Sequence, residues 1–146
     1  MALRWARRRK VEALAPVGLF ARLSRADLAA VADLAVPEHF APGAVLTREG
    51  QQGGLAYVVV SGRCAVQRGG RTVARLGPGS VVGELSLLDR GPRTATVVAT
   101  EEVEALALAQ ADFQALLRRS PRVRRGVLEA LAGRLRAVDR DLARTG

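Results

Sequence analysis

Gly83-Glu84-Leu85-Ser86-Leu87-Leu88-Asp89-Arg90-Gly91-Pro92-Arg93-Thr94-Ala95-Thr96-Val97 is the stretch on which the reading of this chain turns. A carboxylate follows a glycine, a short apolar turn comes next, and Gly-Pro then introduces an arginine. Gly83 has no side chain to keep a ligand from the backbone. Residues 84–88 are too few for an ordinary helix but enough for one turn, whose leading N–H groups are unpaired and point forward. Arg93 can fork onto two oxygens of an anion while staying ionised. Glu84 cannot help an anion, but it can accept hydrogen bonds from sugar hydroxyls. The segment is therefore suited to holding an anion and a sugar together.

Outward from this stretch, residues 39–109 are punctuated by Pro42-Gly43, Gly50, Gly53-Gly54, Gly62, Gly69-Gly70 and Gly77-Pro78-Gly79. Between these lie short β-branched and apolar runs: Val45–Thr47, Tyr57–Ser61, Arg63–Arg68, Thr72–Leu76, Thr94–Ala99 and Val103–Leu108. Many short strands at even spacing predict an antiparallel sandwich or barrel. Gly69-Gly70 marks a tight hairpin, since both residues can take the positive φ of a primed turn.

Upstream, Ser24-Arg25-Ala26-Asp27 is a capping-box pattern, and Leu28, Val31, Leu34 and Ala35 follow at helical spacing. This predicts a helix of roughly three turns ending near Pro37. Downstream, Phe113, Leu116 and Leu117 mark one helix, and Ser120-Pro121 stops it and starts another. Val123, Val127, Leu131, Leu135, Val138 and Leu142 form a single apolar stripe on that last helix. The stripe could cover the roll or meet a copy of itself.

In order and spacing, the 83–97 run resembles the phosphate-binding cassette of the cyclic nucleotide-binding domain family. That family includes kinase regulatory subunits, cyclic-nucleotide-gated channels and catabolite-activator-like regulators. Leu19–Ser24 resembles the family's entry segment, and the turns at Pro42-Gly43, Arg48–Gly50, Ser61-Gly62 and Gly77–Gly79 match its pattern, so the likeness covers about residues 18–140. It implies that Glu84 binds the ribose 2′-hydroxyl and Arg93 the cyclic phosphate. It also implies that Thr94 contacts phosphate or purine and that the amides of Leu85 and Ser86, beside Gly83, complete the cradle. Val82, Ala95, Leu131, Arg134 and Leu135 are the expected pocket wall. Val82 stands where an aromatic commonly precedes Gly-Glu, and Gln51–Ala56 lacks the acidic and aromatic residues often found there.

The expected fold is α+β: a jelly-roll-like antiparallel β-roll of about eight strands over 39–109, with N-terminal helices and two C-terminal helices over 110–143. Residues 1–15 are read as a basic lead-in and 16–146 as one domain. With 146 residues, 49% of them hydrophobic and 25% charged, the chain has ordinary globular composition and room for one core. The net charge of +9 comes from 22 Arg and one Lys, Lys10. With abundant alanine, this reads first as GC-rich codon usage and only second as a basic surface. In the lead-in, Leu3, Trp5, Val11 and Leu14 are expected to pack on the domain. The sharper reading of its charge is contact with anionic lipid, nucleic acid or a partner. The arginine-rich face of the last helix is read as solvated.

Other chemistries find little support. A cupin-type metal site needs a cluster of ligands, and the chain has one histidine, His39. Cys64, alternating with Val66, is read as a small core residue. Glu101, Glu102 and Glu104 are read as a solvated edge. No base–nucleophile pair or Walker motif is present, so neither an enzyme nor a metal or cofactor protein is expected. A single Cys and no 20-residue apolar stretch point to a cytoplasmic chain without a transmembrane segment. No recognition helix follows the long helix, so sequence-specific DNA binding is not expected.

The reading is a cyclic-nucleotide sensor, with cyclic AMP favoured over cyclic GMP as the commoner bacterial messenger. It would signal to an unidentified protein partner through its C-terminal helices, with a homodimer through the last helix as an option. The rivals are a docking or structural module with an empty pocket and a basic protein that binds nucleic acid non-specifically.

Overall fold

A computed structural model describes residues 5–89 and 91–145. The expected packing of Leu3 and the placement of Arg90 lie outside the described residues. The elements are α1 (Arg7–Leu14), a 3-10 turn (Gly18–Phe20), α2 (Arg25–Ala32), β1 (Val36–Phe40), β2 (Val45–Thr47), β3 (Leu55–Ser61), β4 (Cys64–Arg68), β5 (Arg71–Leu76), β6 (Val81–Val82), a second 3-10 turn (Glu84–Leu87), β7 (Thr96–Ala99), β8 (Val103–Ala109), α3 (Gln110–Arg119) and α4 (Pro121–Thr145). The strands form two four-stranded sheets, β1-β8-β3-β6 and β2-β7-β4-β5, antiparallel throughout. This is the α+β roll of eight strands that the sequence predicts.

Burial explains why β3 and β8 read as continuous apolar runs rather than alternating ones. Ala56, Val58, Leu106 and Leu108 face a core shared with the helices, where Leu14, Leu19, Phe20, Val31, Leu87, Phe113, Leu116, Val123 and Val127 pack. Tyr57, Val59, Val103, Ala105 and Ala107 face the interior of the roll, with Leu46, Cys64, Val82, Val97 and Ala99. These two strands are covered on both faces, so both of their residue sets are apolar. The Gly69-Gly70 hairpin forms as expected, with φ of +56° and +78° between Arg68 and Arg71.

Several boundaries differ from expectation: the strand expected from Thr94 begins at Thr96, β3 begins at Leu55 rather than Tyr57, and Val81–Val82 adds a short strand. Helix α2 has two turns, not three, and Pro37 lies inside β1, which opens the roll at Val36 rather than His39. β1 is an edge strand, paired only with β8, and an edge is where a strand tolerates a residue that cannot donate to a neighbour. Ser24 caps α2 as predicted, its hydroxyl accepting from the Asp27 amide at 3.1 Å. The Asp27 carboxylate, however, turns to Arg122 of α4 at 3.6 Å.

The lead-in is integrated into the domain. Val11 and Leu14 are buried, and Trp5 packs against the same core. Its charges have local partners: Arg7 pairs with Asp33 at 2.7 Å, Arg8 with Glu12 at 3.5 Å, and Lys10 donates to the Ala35 carbonyl at 2.7 Å. The Arg9 guanidinium lies 3.6 Å over the Trp5 ring.

The apolar stripe of α4 divides. Val123 and Val127 are buried under the roll, whereas Leu135, Val138 and Leu142 are 68%, 53% and 63% exposed, as is Leu128 at 59%. The buried positions of the helix, Val123, Val127 and Ala130, all lie in its first half.

Burial pushes up both the Cys64 thiol and the Tyr57 hydroxyl, the latter helped by the Glu38 carboxylate and opposed by Arg93. Both groups therefore hold their protons more tightly folded than unfolded. Their contribution to stability is complete below their ordinary values of 9.0 and 10.0 and is lost as pH rises through the folded values. Urea midpoints should hold steady from pH 7 to about 9 and then fall. Cys64→Ala should lessen that alkaline loss.

Candidate functional site

The cassette folds where β6 ends and β7 begins. Gly83 sits in the left-handed region at φ +72°, ψ +33°, and starts the second 3-10 turn. A β-carbon there would run into the Arg93 guanidinium, so glycine is required both by backbone angle and by space. The turn closes through the Ser86 amide, which donates to the Gly83 carbonyl at 2.9 Å. The Ser86 amide is thus engaged within the turn, and its hydroxyl instead accepts from Arg93 Nη1 at 2.8 Å.

Arg93 is clamped along its whole length. Its amide donates to the Gln51 carbonyl at 2.8 Å, and its own carbonyl accepts from the Gly50 amide at 2.9 Å. Its Nη2 donates to the Leu55 carbonyl. A β-carbon at Gly53 would sit about 3.1 Å from Arg93 Nε, so the β2–β3 loop passes directly against the guanidinium. Among the described residues no carboxylate pairs with Arg93. Burial pulls its pKa down from the ordinary arginine value, an effect that Tyr57 partly opposes, and the group remains ionised.

The cavity in front of this arginine has a volume of about 460 Å³, within the range of small-molecule sites. Glu84, Leu85, Ser86, Gly83, Arg93 and Thr94 line it, as do Val82 and Ala95. The sequence also pointed to Leu131, Arg134 and Leu135 as wall, and the structure places them elsewhere. Leu131 packs against the helical core, Leu135 is exposed, and Arg134 Nη2 bonds Glu84 Oε1 at 2.6 Å. The reason is that α4 packs on the Gly18–Phe20 turn and α3 and reaches the cassette only through Glu84, contributing no residue to the cavity wall.

Glu84 also accepts from the Leu19 amide at 3.2 Å through Oε2. Its carboxylate therefore joins three segments: the Gly18–Phe20 turn, the cassette and α4. Sequence reasoning missed this junction, along with Thr47, Val66, Arg68, Leu76, Val81 and Val97 as strand-borne wall. Inward alternation was legible for some of them, but which sheet closes over the cassette is a matter of pairing between distant strands.

The protein-family model "Cyclic nucleotide-binding domain" matches residues 37–120, more than half of the chain. The CRP-like cAMP-activated global transcriptional regulator of Mycobacterium tuberculosis is 31% identical over 137 residues, covering 90% of this chain and 61% of that protein. The cyclic AMP receptor protein of Thermus thermophilus is 46% identical over 99 residues, covering 64% of this chain and 46% of that one. Among solved structures, the N-terminal domain of a transcriptional regulator from Streptomyces coelicolor superposes with a TM-score of 0.81 at 38% identity, covering 89% of this chain and 94% of the other. The chain belongs to the cyclic nucleotide-binding domain family. It spans about half to three-fifths of the length of these two curated relatives.

Among the described residues no helix is long and apolar enough to cross a membrane, and no group of three or more His, Cys, Asp or Glu could hold a metal ion.

Gly83→Ala should lower stability by about 1–2 kcal/mol through left-handed strain alone. It should also drive Arg93 from its bonds to Ser86 and Leu55. Thermal unfolding reads the first effect, and the Arg93 side-chain NMR resonances read the second.

Proposed function

We propose that this chain is a cyclic-nucleotide sensor that reports occupancy through its C-terminal helix. The observation that carries this reading is Arg93: a half-buried guanidinium, rigidly held by neutral partners, facing a cavity and, among the described residues, not ion-paired to either carboxylate of the cavity wall, Glu84 or Asp89. Leaving such a charge uncompensated is costly, and a bound anion removes the cost. The cyclic phosphate is placed on Arg93 and the ribose hydroxyl on Glu84, with Thr94 beside them. Cyclic AMP is the first ligand to try, since the two curated relatives are named a cyclic AMP receptor protein and a cAMP-activated regulator.

Signalling follows from the double use of Glu84. A ribose hydroxyl reaching its carboxylate must share or displace the contacts to Arg134 and Leu19. Ligand binding therefore changes the balance between two positions of α4, and it does so only to the extent that the ligand prefers one of them. The receiver is a second copy or a separate protein. Leu128, Leu131, Leu135, Val138 and Leu142 are spaced 3, 4, 3 and 4, the heptad pattern of a two-stranded coil, and four of them are exposed.

Titration calorimetry with cyclic AMP, cyclic GMP and non-cyclic AMP tests the sensor. Micromolar or tighter binding of a cyclic nucleotide is expected, with Arg93→Ala weakening it at least tenfold. The expected loss corresponds to charge-assisted bonds worth about 1.5–3 kcal/mol each. Unchanged binding by that variant would sink the assignment, and the absence of binding by nucleotide-free protein would favour a docking module with an empty pocket. For the seam, sedimentation equilibrium should show a dimer that Leu135→Asp dissociates while the fold persists.

A further inference from the structure

Building on the proposed cyclic-nucleotide site, we infer that Arg68 is a base-reading residue, which gives the cavity a donor fork for the O6 and N7 acceptors of an oxo-purine such as guanine. Arg68 is the last residue of β4, and its side chain lines the cavity on the same strand face as Val66, with Gln67 between them turned away. The strand-borne wall is otherwise apolar: Val66, Leu76, Val81, Val82 and Val97, with Thr47 as the remaining exception. The Thr47 hydroxyl is already engaged, donating to the Ala95 carbonyl at 3.3 Å. Arg68 is thus the strand-borne polar group left to meet a ligand. It is exposed, and among the described residues no carboxylate pairs with it.

The cavity is polar at the cassette and apolar along the strands, which sets the direction of a nucleotide within it. With its phosphate on Arg93, the purine lies along Val66, Val81 and Val97, and its edge comes within reach of the long Arg68 side chain. A guanidinium offers five N–H donors and no acceptor. Guanine presents two adjacent acceptors, O6 and N7, that match a donor fork. Adenine presents N7 beside an amino donor that opposes it. Arg68 therefore adds affinity for the oxo-purine and little for adenine, and it moves the selectivity of an otherwise apolar base site towards cyclic GMP.

The test is calorimetric titration of the whole chain, stripped of nucleotide, with cyclic AMP, cyclic GMP and cyclic IMP, which keeps O6 and N7 but lacks the 2-amino group. Arg68→Met keeps the apolar stem and removes the donors, and Arg68→Lys keeps the charge and removes the fork. Circular dichroism melts confirm that both variants are folded. Arg68→Met is expected to lower the ratio of cyclic GMP to cyclic AMP affinity about tenfold, the scale of one bidentate contact, with cyclic IMP following cyclic GMP. Arg68→Lys should recover less than half of that change on a logarithmic scale. An unchanged ratio, an equal loss for all three nucleotides, full recovery by lysine, a loss confined to cyclic GMP, or wild-type binding of cyclic AMP alone would each overturn the inference while leaving the sensor intact. Wild-type protein that binds none of the three overturns the sensor itself.

Discussion

The constraint on which this structure depends is the half-burial of one positive charge with no carboxylate in contact with it among the described residues. The Arg93 guanidinium is anchored by the Ser86 hydroxyl and the Leu55 carbonyl, and its backbone is strapped between Gly50 and Gln51. All of these partners are neutral, so they orient the group without cancelling its charge. Much of the architecture serves that arrangement. At Gly83 the guanidinium occupies the space a side chain would need, and at Gly53 a β-carbon would press first on the Ser86 hydroxyl and then on Arg93. The 3-10 turn brings Ser86 back towards Arg93, and the β2–β3 loop delivers the Leu55 carbonyl from the opposite side.

Glu84 complements this by tying the cassette to distant parts of the chain. Its two oxygens face residues 65 positions upstream and 50 downstream. With Arg134 41% exposed and Glu84 18% exposed, the pair lies near the surface, where an ion pair is worth little by itself. A weak contact suits the proposed sensor, in which a ligand hydroxyl would compete with it. A deeply buried pair in the same place would fix α4 permanently.

The helices illustrate how burial distributes a pattern that looks uniform in one dimension. Val123 and Val127 close the core over Phe113 and Phe20, whose rings sit 5.7 Å apart, while Leu135, Val138 and Leu142 continue the same helix into solvent. One continuous helix therefore carries both an intramolecular packing surface and a solvent-exposed apolar one. The exposed set takes a slightly different course around the helix once Leu128 is included, which shifts the spacing from nearly regular fours to the 3-4 alternation of a coil.

The amino-acid sequence by itself determined the class of fold, the strand-rich middle, the hairpin at Gly69-Gly70, the cap at Ser24, the helix break at Ser120-Pro121 and the cassette from Gly83 to Thr94. All of these are written in short-range terms: turn residues with allowed φ, caps with the right oxygen, and apolar residues at period two or near four. Tertiary structure alone decided that Pro37 belongs to a strand, because an edge position excuses its missing donor. Long-range packing likewise joined Arg134 to Glu84 at the back of the cavity wall, left Leu131 partly buried against the core and Leu135 in solvent, and brought Arg68 and Val66 across to face the cassette. Those outcomes depend on which distant strands pair and how a long helix crosses the roll. Neither is encoded in the spacing of neighbouring residues, because the free energy that settles them comes from surfaces meeting across the whole chain.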